Sequence, residues 1–284
     1  MISTIIFPSS FYDLHAIDED MDQEYQAVLE TGLFETILFS YDDWFNQGHL
    51  KLSYTPETGI HAVYRGWMMK PEQYRRFYLE LLKNNIHLVT DPDMYTHFHV
   101  FPNVYPELSD DTARIMTFPL HSDINIEQVK LVFQRFMVKD FVKSVKGTEF
   151  PAIFDQSITQ LEFNRWMEVF YNYRGSLLTG GICIKEFFNL KKYGNRTNEY
   201  RVYYINREIA SVCRNSLQPV YTPDPPLHLI EKYQYLDSVF YTIDFAELEG
   251  GQWKIIEAGD GSVSGLSVGQ DHQAFFRALY QCFL

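Results

Sequence analysis

Apolar positions along this chain switch between two spacings, and the first third reads as repeated strand and helix units. Ile2 to Phe7 (ISTIIF) is a short, β-rich apolar run closed by Pro8, which suits a buried strand. A helix is expected next. Asp18, Glu19 and Asp20 supply the negative charge a first turn favours, Met21, Tyr25, Val28 and Leu29 fall on one face, and Gly32 stands as a C-terminal cap. TILFS from Thr36 and HAVYR from His61 read as the second and third strands. From Pro71, the residues Tyr74, Phe77, Tyr78, Leu81 and Leu82 recur at helical spacing, and IHLVT from Ile86 follows as a further strand. This alternation predicts a parallel sheet covered by helices.

The segment FPNVYPELSDDTARIMTF, from Phe101 to Phe118, carries two prolines and an acidic cluster and is the best candidate for a linker, with a boundary near residue 117. Beyond it the pattern changes. FMVKDFVK (Phe136 to Lys143) alternates as a strand does, Gln160 to Tyr173 reads as an aromatic-rich helix, and GICIKEFF (Gly181 to Phe188) as a strand after a glycine pair. Two hairpins are expected: Tyr200 to Ile205 with Ile209 to Arg214 around Asn206 and Arg207, and Tyr241 to Ala246 with Trp253 to Ala258 around Gly250 and Gly251. Phe275, Phe276, Leu279, Tyr280 and Phe283 close the chain as an amphipathic helix.

Composition narrows the functional classes. A 284-residue chain that is 46% hydrophobic and 17% aromatic has ample material for packed cores. Its 24 basic and 37 acidic residues give a formal charge of −13, which disfavours nucleic acid and anionic membranes as partners. Cys183, Cys213 and Cys282 are odd in number and widely spaced, as expected of reduced core residues. The N-terminus lacks a basic n-region, and no run approaches the ~18 apolar residues of a membrane span, so a cytoplasmic location is expected.

Charged residues inside apolar strands carry the candidate chemistry. With a turn centred on Gly250, Asp244 lies opposite position 256 or 257, so Asp244 and Glu257 come from facing strands. Carboxylates ~5 Å apart at Cβ repel unless a cation sits between them, and oxygen ligands from two or three acids suit Mg²⁺. Asp260, three residues after Glu257, is within reach of the same ion; the alternative is a slipped register with the acids in solvent. Lys139 and Lys143 share a strand face by their even spacing, and Lys185 stands inside GICIKEFF. Such lysines either meet an anion or guard an edge strand. In either plausible hairpin register Glu199, Arg201 and Arg214 share one face; a salt bridge accounts for Glu199 and one arginine, and a free arginine fork suits a carboxylate or phosphoryl group. Together these residues describe a site for a metal-bound polyphosphate. GxxxxGK[ST], GxGxxG after the first strand, HExxH and paired CxxC are all missing from the sequence, and His97, His99 and His121 read as surface or packed histidines.

In their order these segments, MVKDFVKS, CIKEFFNL, EYRVYYI, YTIDFA and IIEAGDGSVSGLS, resemble the ATP-grasp superfamily, and most of all its short bacterial and phage amidoligase-like group, whose N-terminal half has segments like YRGWMMKPEQY and FPNVY. The resemblance implies an α/β, pre-ATP-grasp-like domain over 1–117 and an α+β ATP-grasp domain over 118–284, with subdomains of about 118–190 and 191–284 clamping a nucleotide. By position, it implies that Lys139 or Lys143 holds phosphates and that Lys185 and Glu186 lie at the adenine hinge, with the backbone at Phe187 and Phe188 pairing with the base. Glu199 would contact ribose or the phosphate side, Asp244 and Glu257 would hold Mg²⁺, and Arg201, Arg214 and Lys143 would face the γ-phosphate or the acyl substrate. The usual third metal residue, an asparagine two positions after the glutamate, is Gly259 here, leaving Asp260 as its substitute; the phosphate flap is reduced to KSVKGTEF.

The implied activity is ATP-dependent ligation of a carboxylate, small-molecule or peptide, to an amine through an acyl phosphate. The glycine- and serine-rich run from Gly261 to Gly265 would let backbone amides approach an oxyanion. Arg65, Trp67, Tyr95 and Tyr105 lie in the half that helps to form the acceptor pocket, although aromatics there also serve as core. Phosphoryl transfer on the same scaffold, or nucleotide binding without catalysis, are the alternatives, and the products distinguish them.

Overall fold

The computed structural model describes residues 3–284, so Ile2 of the expected first strand lies outside the described residues. Strands β1 (Thr4–Pro8), β2 (Glu35–Phe39), β3 (Ile60–Tyr64) and β4 (Ile86–Leu88) form the anticipated parallel sheet, in the order β2-β1-β3-β4. Every residue of β1 is buried, which explains its unbroken apolar run: Ile5 and Phe7 face one core and Ile6 the other. Helix α1 (Asp22–Thr31) ends at Gly32, whose φ of 64° is the left-handed cap its position implied. Helices α2 (Tyr41–Gln47) and α3 (Pro71–Lys83) cover the opposite face with Trp44, Tyr74, Phe77 and Leu81.

The expected linker is folded. After α4 (Pro92–His99) comes α5 (Phe101–Leu108), whose Phe101, Val104 and Leu108 are buried against Val202, Ile243 and Phe245. Pro102 sits in the first turn, where a missing N–H costs little, and the apolar face holds the helix together despite Pro106. Strand β5 (Ile115–Phe118) follows and straddles position 117.

A second sheet, antiparallel and ordered β5-β8-β6-β7, contains β6 (Arg135–Asp140), β7 (Phe154–Asp155) and β8 (Ile182–Glu186), backed by α6 (Ile126–Val132) and α7 (Gln160–Arg174). The expected strand from Phe136 to Lys143 stops short, because buried Asp140 turns the chain. Its Oδ1 accepts the N–H groups of Val142 (2.7 Å) and Lys143 (2.6 Å), while Lys143 O accepts the Asp140 N–H at 2.9 Å. Lys139 and Lys143 therefore do not share a strand face.

After a short ribbon of β9 (Lys192–Tyr193) and β10 (Arg196–Thr197), the third sheet comprises β11 (Glu199–Ile205), β12 (Glu208–Arg214), β13 (Phe240–Glu247) and β14 (Trp253–Asp260), in the order β12-β11-β13-β14. Asn206 and Arg207 both have positive φ, as a two-residue hairpin turn requires. Tyr204, Ile243 and Ile255 pack toward α4, α5 and the short α8 (Leu227–Glu231); Tyr203, Ile205 and Phe240 pack toward β1, α1 and α9 (His272–Cys282). The third sheet is thus held between two cores, and one of them contains the N-terminal sheet. No helix among the described residues is long and apolar enough to cross a membrane.

Candidate active site

Three strands bring the first charged row together. Arg201, Asp244 and Glu257 stand opposite one another across β11, β13 and β14. Arg201 forks onto Asp244, with Nε to Oδ1 at 2.8 Å and Nη2 to Oδ2 at 2.7 Å, and its Nη1 donates to Gly265 O at 3.1 Å. Glu257 joins this row through a β-bulge: Phe245 pairs with Ile255, but Asp244 pairs with Glu257, leaving Ile256 as an extra residue. Side chains alternate along a strand, so without the extra residue Glu257 would point away from Asp244.

Facing this row are lysines from the second sheet. Lys139 Nζ lies 3.4 Å from Glu257 Oε1, and Lys185 Nζ donates to the carbonyl of the bulged Ile256 at 2.7 Å. Both ammonium groups lie over the ring of Phe101, at 5.5 Å and 4.1 Å from its centre. Phe101 also donates its N–H to Phe141 O at 3.0 Å, fixing the turn that delivers Lys143. Burial alone would raise the Glu257 pKa, but Lys139, Lys143, Lys185 and Arg201 outweigh it and hold the carboxyl at about 2. Burial and the neighbouring Lys139 push Lys185 down to about 7, and burial also lowers Lys143.

Two cavities meet at these residues. A cleft of about 820 Å³ is lined by Lys139, Lys143, Lys185, Glu199 and Glu257, together with the segment from Glu186 to Leu190. A smaller cavity of about 140 Å³ is bordered by Lys143, Arg201, Asp244, Glu257 and the stretch from Ala258 to Asp260. At the far end of the cleft, Arg114 forks onto Glu186 at 2.8 and 2.9 Å, and Phe187 donates its N–H to Arg135 O at 3.0 Å. Thr197 hydrogen-bonds to Glu199, whose side chain borders the cleft.

Several expected placements change. A second bulge, between Tyr203 and Tyr204 against Ser211 and Ile209, sets Arg214 opposite Tyr200 and off the face of Arg201 and Glu199. Arg214 instead lies over the Tyr200 ring and pairs with Asp224 at 3.0 Å. Asp260 is three residues from Glu257 and hence out of phase with it. Its carboxylate is fully buried, Oδ1 accepts the Ser262 N–H at 2.9 Å, and burial pushes its pKa up to about 7. Asp260 is accordingly not brought to the Asp244–Glu257 pair, and among the described residues no three His, Cys, Asp or Glu side chains cluster as a metal site would require. Arg65 is sealed in a buried fork with Glu24, at 2.7 and 2.8 Å, and donates to Gly261 O. Tyr95 is core, its hydroxyl bonded to Met69, whereas Trp67 borders an open cleft. Phe101 and His99 were missed because FPNVY reads as a linker and a histidine on a helix gives no sign of what it faces.

A family model described as an ATP-grasp domain, clade family 3, matches residues 128–279, more than half of the chain. The chain belongs to the ATP-grasp superfamily. Solved ATP-grasp structures share its fold over nearly the whole length. The ligase PsnB in complex with a minimal precursor, Mg and ADP matches at a TM-score of 0.59 and 10% identity, covering 99% of this chain and 98% of that one. D-alanyl-alanine synthetase A from Vibrio cholerae O1 biovar eltor str. N16961 matches at 0.61 and 11% identity, covering 99% and 97%. D-cycloserine synthetase DcsG matches at 0.60 and 13% identity, covering 98% and 99%. No curated protein matches.

The donor set of this ATP-grasp chain fits Mg²⁺. Two facing carboxylates, one of them 39% exposed and both beside cations, provide the hard oxygens of an ion that completes its shell with water and phosphate.

Proposed function

We propose that this protein is an ATP-dependent carboxylate–amine ligase that forms an amide or peptide-type bond through an acyl phosphate. The observation that supports it most is the Arg201–Asp244–Glu257 row facing Lys139, Lys143 and Lys185 across one cleft, because a polyphosphate with a divalent cation complements that charge pattern. The cleft, about 820 Å³, falls within the roughly 300–1,000 Å³ of small-molecule sites. In this reading the nucleotide's base lies along Glu186 to Phe188, Glu199 stands on its ribose or phosphate side, and Lys139, Lys143 and Lys185 meet the phosphates. Asp244 and Glu257 would hold Mg²⁺, which when bound neutralises charge on the phosphate oxygens.

The substrate carboxylate attacks the γ-phosphorus, forming an O–P bond as the bond to the β-phosphate oxygen breaks and ADP leaves. Lys143 and Arg201 stabilise the negative charge in the 140 Å³ cavity. The amine nitrogen then attacks the acyl carbon and the C–O bond breaks, releasing phosphate with its electron pair. The amine's proton passes to solvent or phosphate. The small volume of the inner cavity helps to keep water from the acyl phosphate.

The sheet arrangement supports an N-terminal unit followed by an ATP-grasp portion. We place the border just before Ile115 so that β5 stays with the sheet it pairs in. Three free cysteines accord with a cytoplasmic setting. Replacing Glu257 with Gln should abolish ATP turnover while the melting temperature and far-UV spectrum stay near wild type. Product analysis then separates ligation, giving amide, ADP and phosphate, from phosphoryl transfer, giving a stable phosphorylated compound.

A further inference from the structure

The 140 Å³ cavity shares Met68, His99, Val142 and Lys143 with a third cleft of about 680 Å³ that runs outward along the N-terminal domain. We infer that this cleft seats the amine substrate, a primary amine on an aromatic or apolar body, with its nitrogen hydrogen-bonded to His99 where the two cavities meet. The inference rests on the ligase reading.

Its outer wall joins an apolar surface to negative charge. Tyr41 and Phe45 stack with ring centres 5.5 Å apart, and Trp67 lies on the same cleft. Asp18, Asp42 and Glu72 border these rings, and none has a cation partner among the described residues. Of the wall's cations, Arg174 is neutralised by buried Asp140 at 2.8 Å, which leaves Lys70 on the outer wall. Aromatic faces beside carboxylates attract ammonium groups and repel carboxylates.

His99 is the independent observation that points to a ligand. It is only 7% exposed, stacks on Tyr95 at 4.8 Å, and its ring makes no hydrogen bond among the described residues, although it borders both cavities. A polar ring this buried ordinarily has a partner. Burial, with Lys143 and Lys139 nearby, holds its pKa at about 3. A neutral imidazole keeps one acceptor nitrogen, which an amine N–H can fill without adding charge beside the lysines.

Titration calorimetry on the full chain without ATP tests this with a matched pair of probes, 2-phenylethylamine and 3-phenylpropanoate. The amine should bind at least about tenfold more tightly than the acid. Asp42→Asn with Glu72→Gln should erase most of that preference. His99→Phe, which keeps the stack on Tyr95, should weaken amine binding by about tenfold. Equal binding of the two probes, or unchanged affinities in both variants, overturns the assignment, and the rim double variant decides it if His99→Phe does not fold. ATP turnover, measured on the same preparations, separates the two readings: turnover with no amine preference defeats the cleft alone, and amine preference without turnover defeats the ligase alone.

Discussion

The two hairpins of the third sheet each carry one extra residue, and the consequences are opposite. In β13/β14 the bulge at Ile256 turns Glu257 onto the face of Asp244 and Arg201, and Lys185 takes the bulged carbonyl. In β11/β12 the bulge near Ala210 turns Arg214 off that face and leaves it on Tyr200 and Asp224. β14 borders the lysines of the second sheet, whereas β12 is the free edge of its own. One residue of register therefore decides which charges converge, and it matters where two sheets meet.

Deleting each extra residue should break the comparison most sharply. Removal of Ile256 is expected to eliminate ATP turnover, because Glu257 rotates out of the row. It should also cost about 3–5 kcal/mol of stability as buried Lys185 loses its acceptor. Removal of Ala210, on an edge strand, should lower the melting temperature yet leave turnover measurable. Chemical denaturation and phosphate release on both deletions are the check; turnover in the Ile256 deletion would refute the role of the bulge.

The two arginines give the next effect in size. Arg201→Lys removes the two-point fork on Asp244 and should lower ATP turnover by about a hundredfold, the scale of losing one aimed donor in a charge-stabilising site. Arg214→Lys should change turnover by less than about threefold, and stability by no more than about 1 kcal/mol, because its ion pair is exposed. Equal losses in the two variants would mean that Arg214 reaches the site.

The apolar patterns were sufficient for the parallel sheet, α1, α3, α7 and both hairpins, since each is a long run with one clear period. The acid pair and the lysines were legible for the same reason: a charge inside an apolar strand is conspicuous. Bulges were not, because an extra residue leaves no mark in composition while it inverts every side chain beyond it. The Asp140 turn was hidden too; FMVKDFVK alternates well enough, and only a buried carboxylate capping two amides reverses the chain. Phe101 lay in a segment with two prolines, where burial against the third sheet overrides local punctuation.

Glu257 and Asp260 sharpen the comparison on a single strand, and the effect on turnover is the smallest. Three residues apart, they face opposite sides; four cations hold the first at about 2, and burial pushes the second to about 7. A carboxyl whose folded pKa lies above its unfolded value of 3.8 favours the fold fully only below that value, and the benefit is lost as pH rises through about 7. Asn at position 260 keeps an oxygen for the Ser262 N–H and never ionises, so Asp260→Asn should be more stable than wild type at pH 8. The rise of about three units sets an upper scale of roughly 4 kcal/mol for that gain. The advantage should shrink steadily toward pH 4, where the native carboxyl is neutral in both states. ATP turnover should stay within about threefold of wild type, because Asp260 is not beside Asp244 and Glu257. Melting curves at pH 4, 6 and 8 together with turnover at pH 8 test both parts: a pH-independent difference refutes the buried charge, and a large loss of turnover returns Asp260 to the metal ligands.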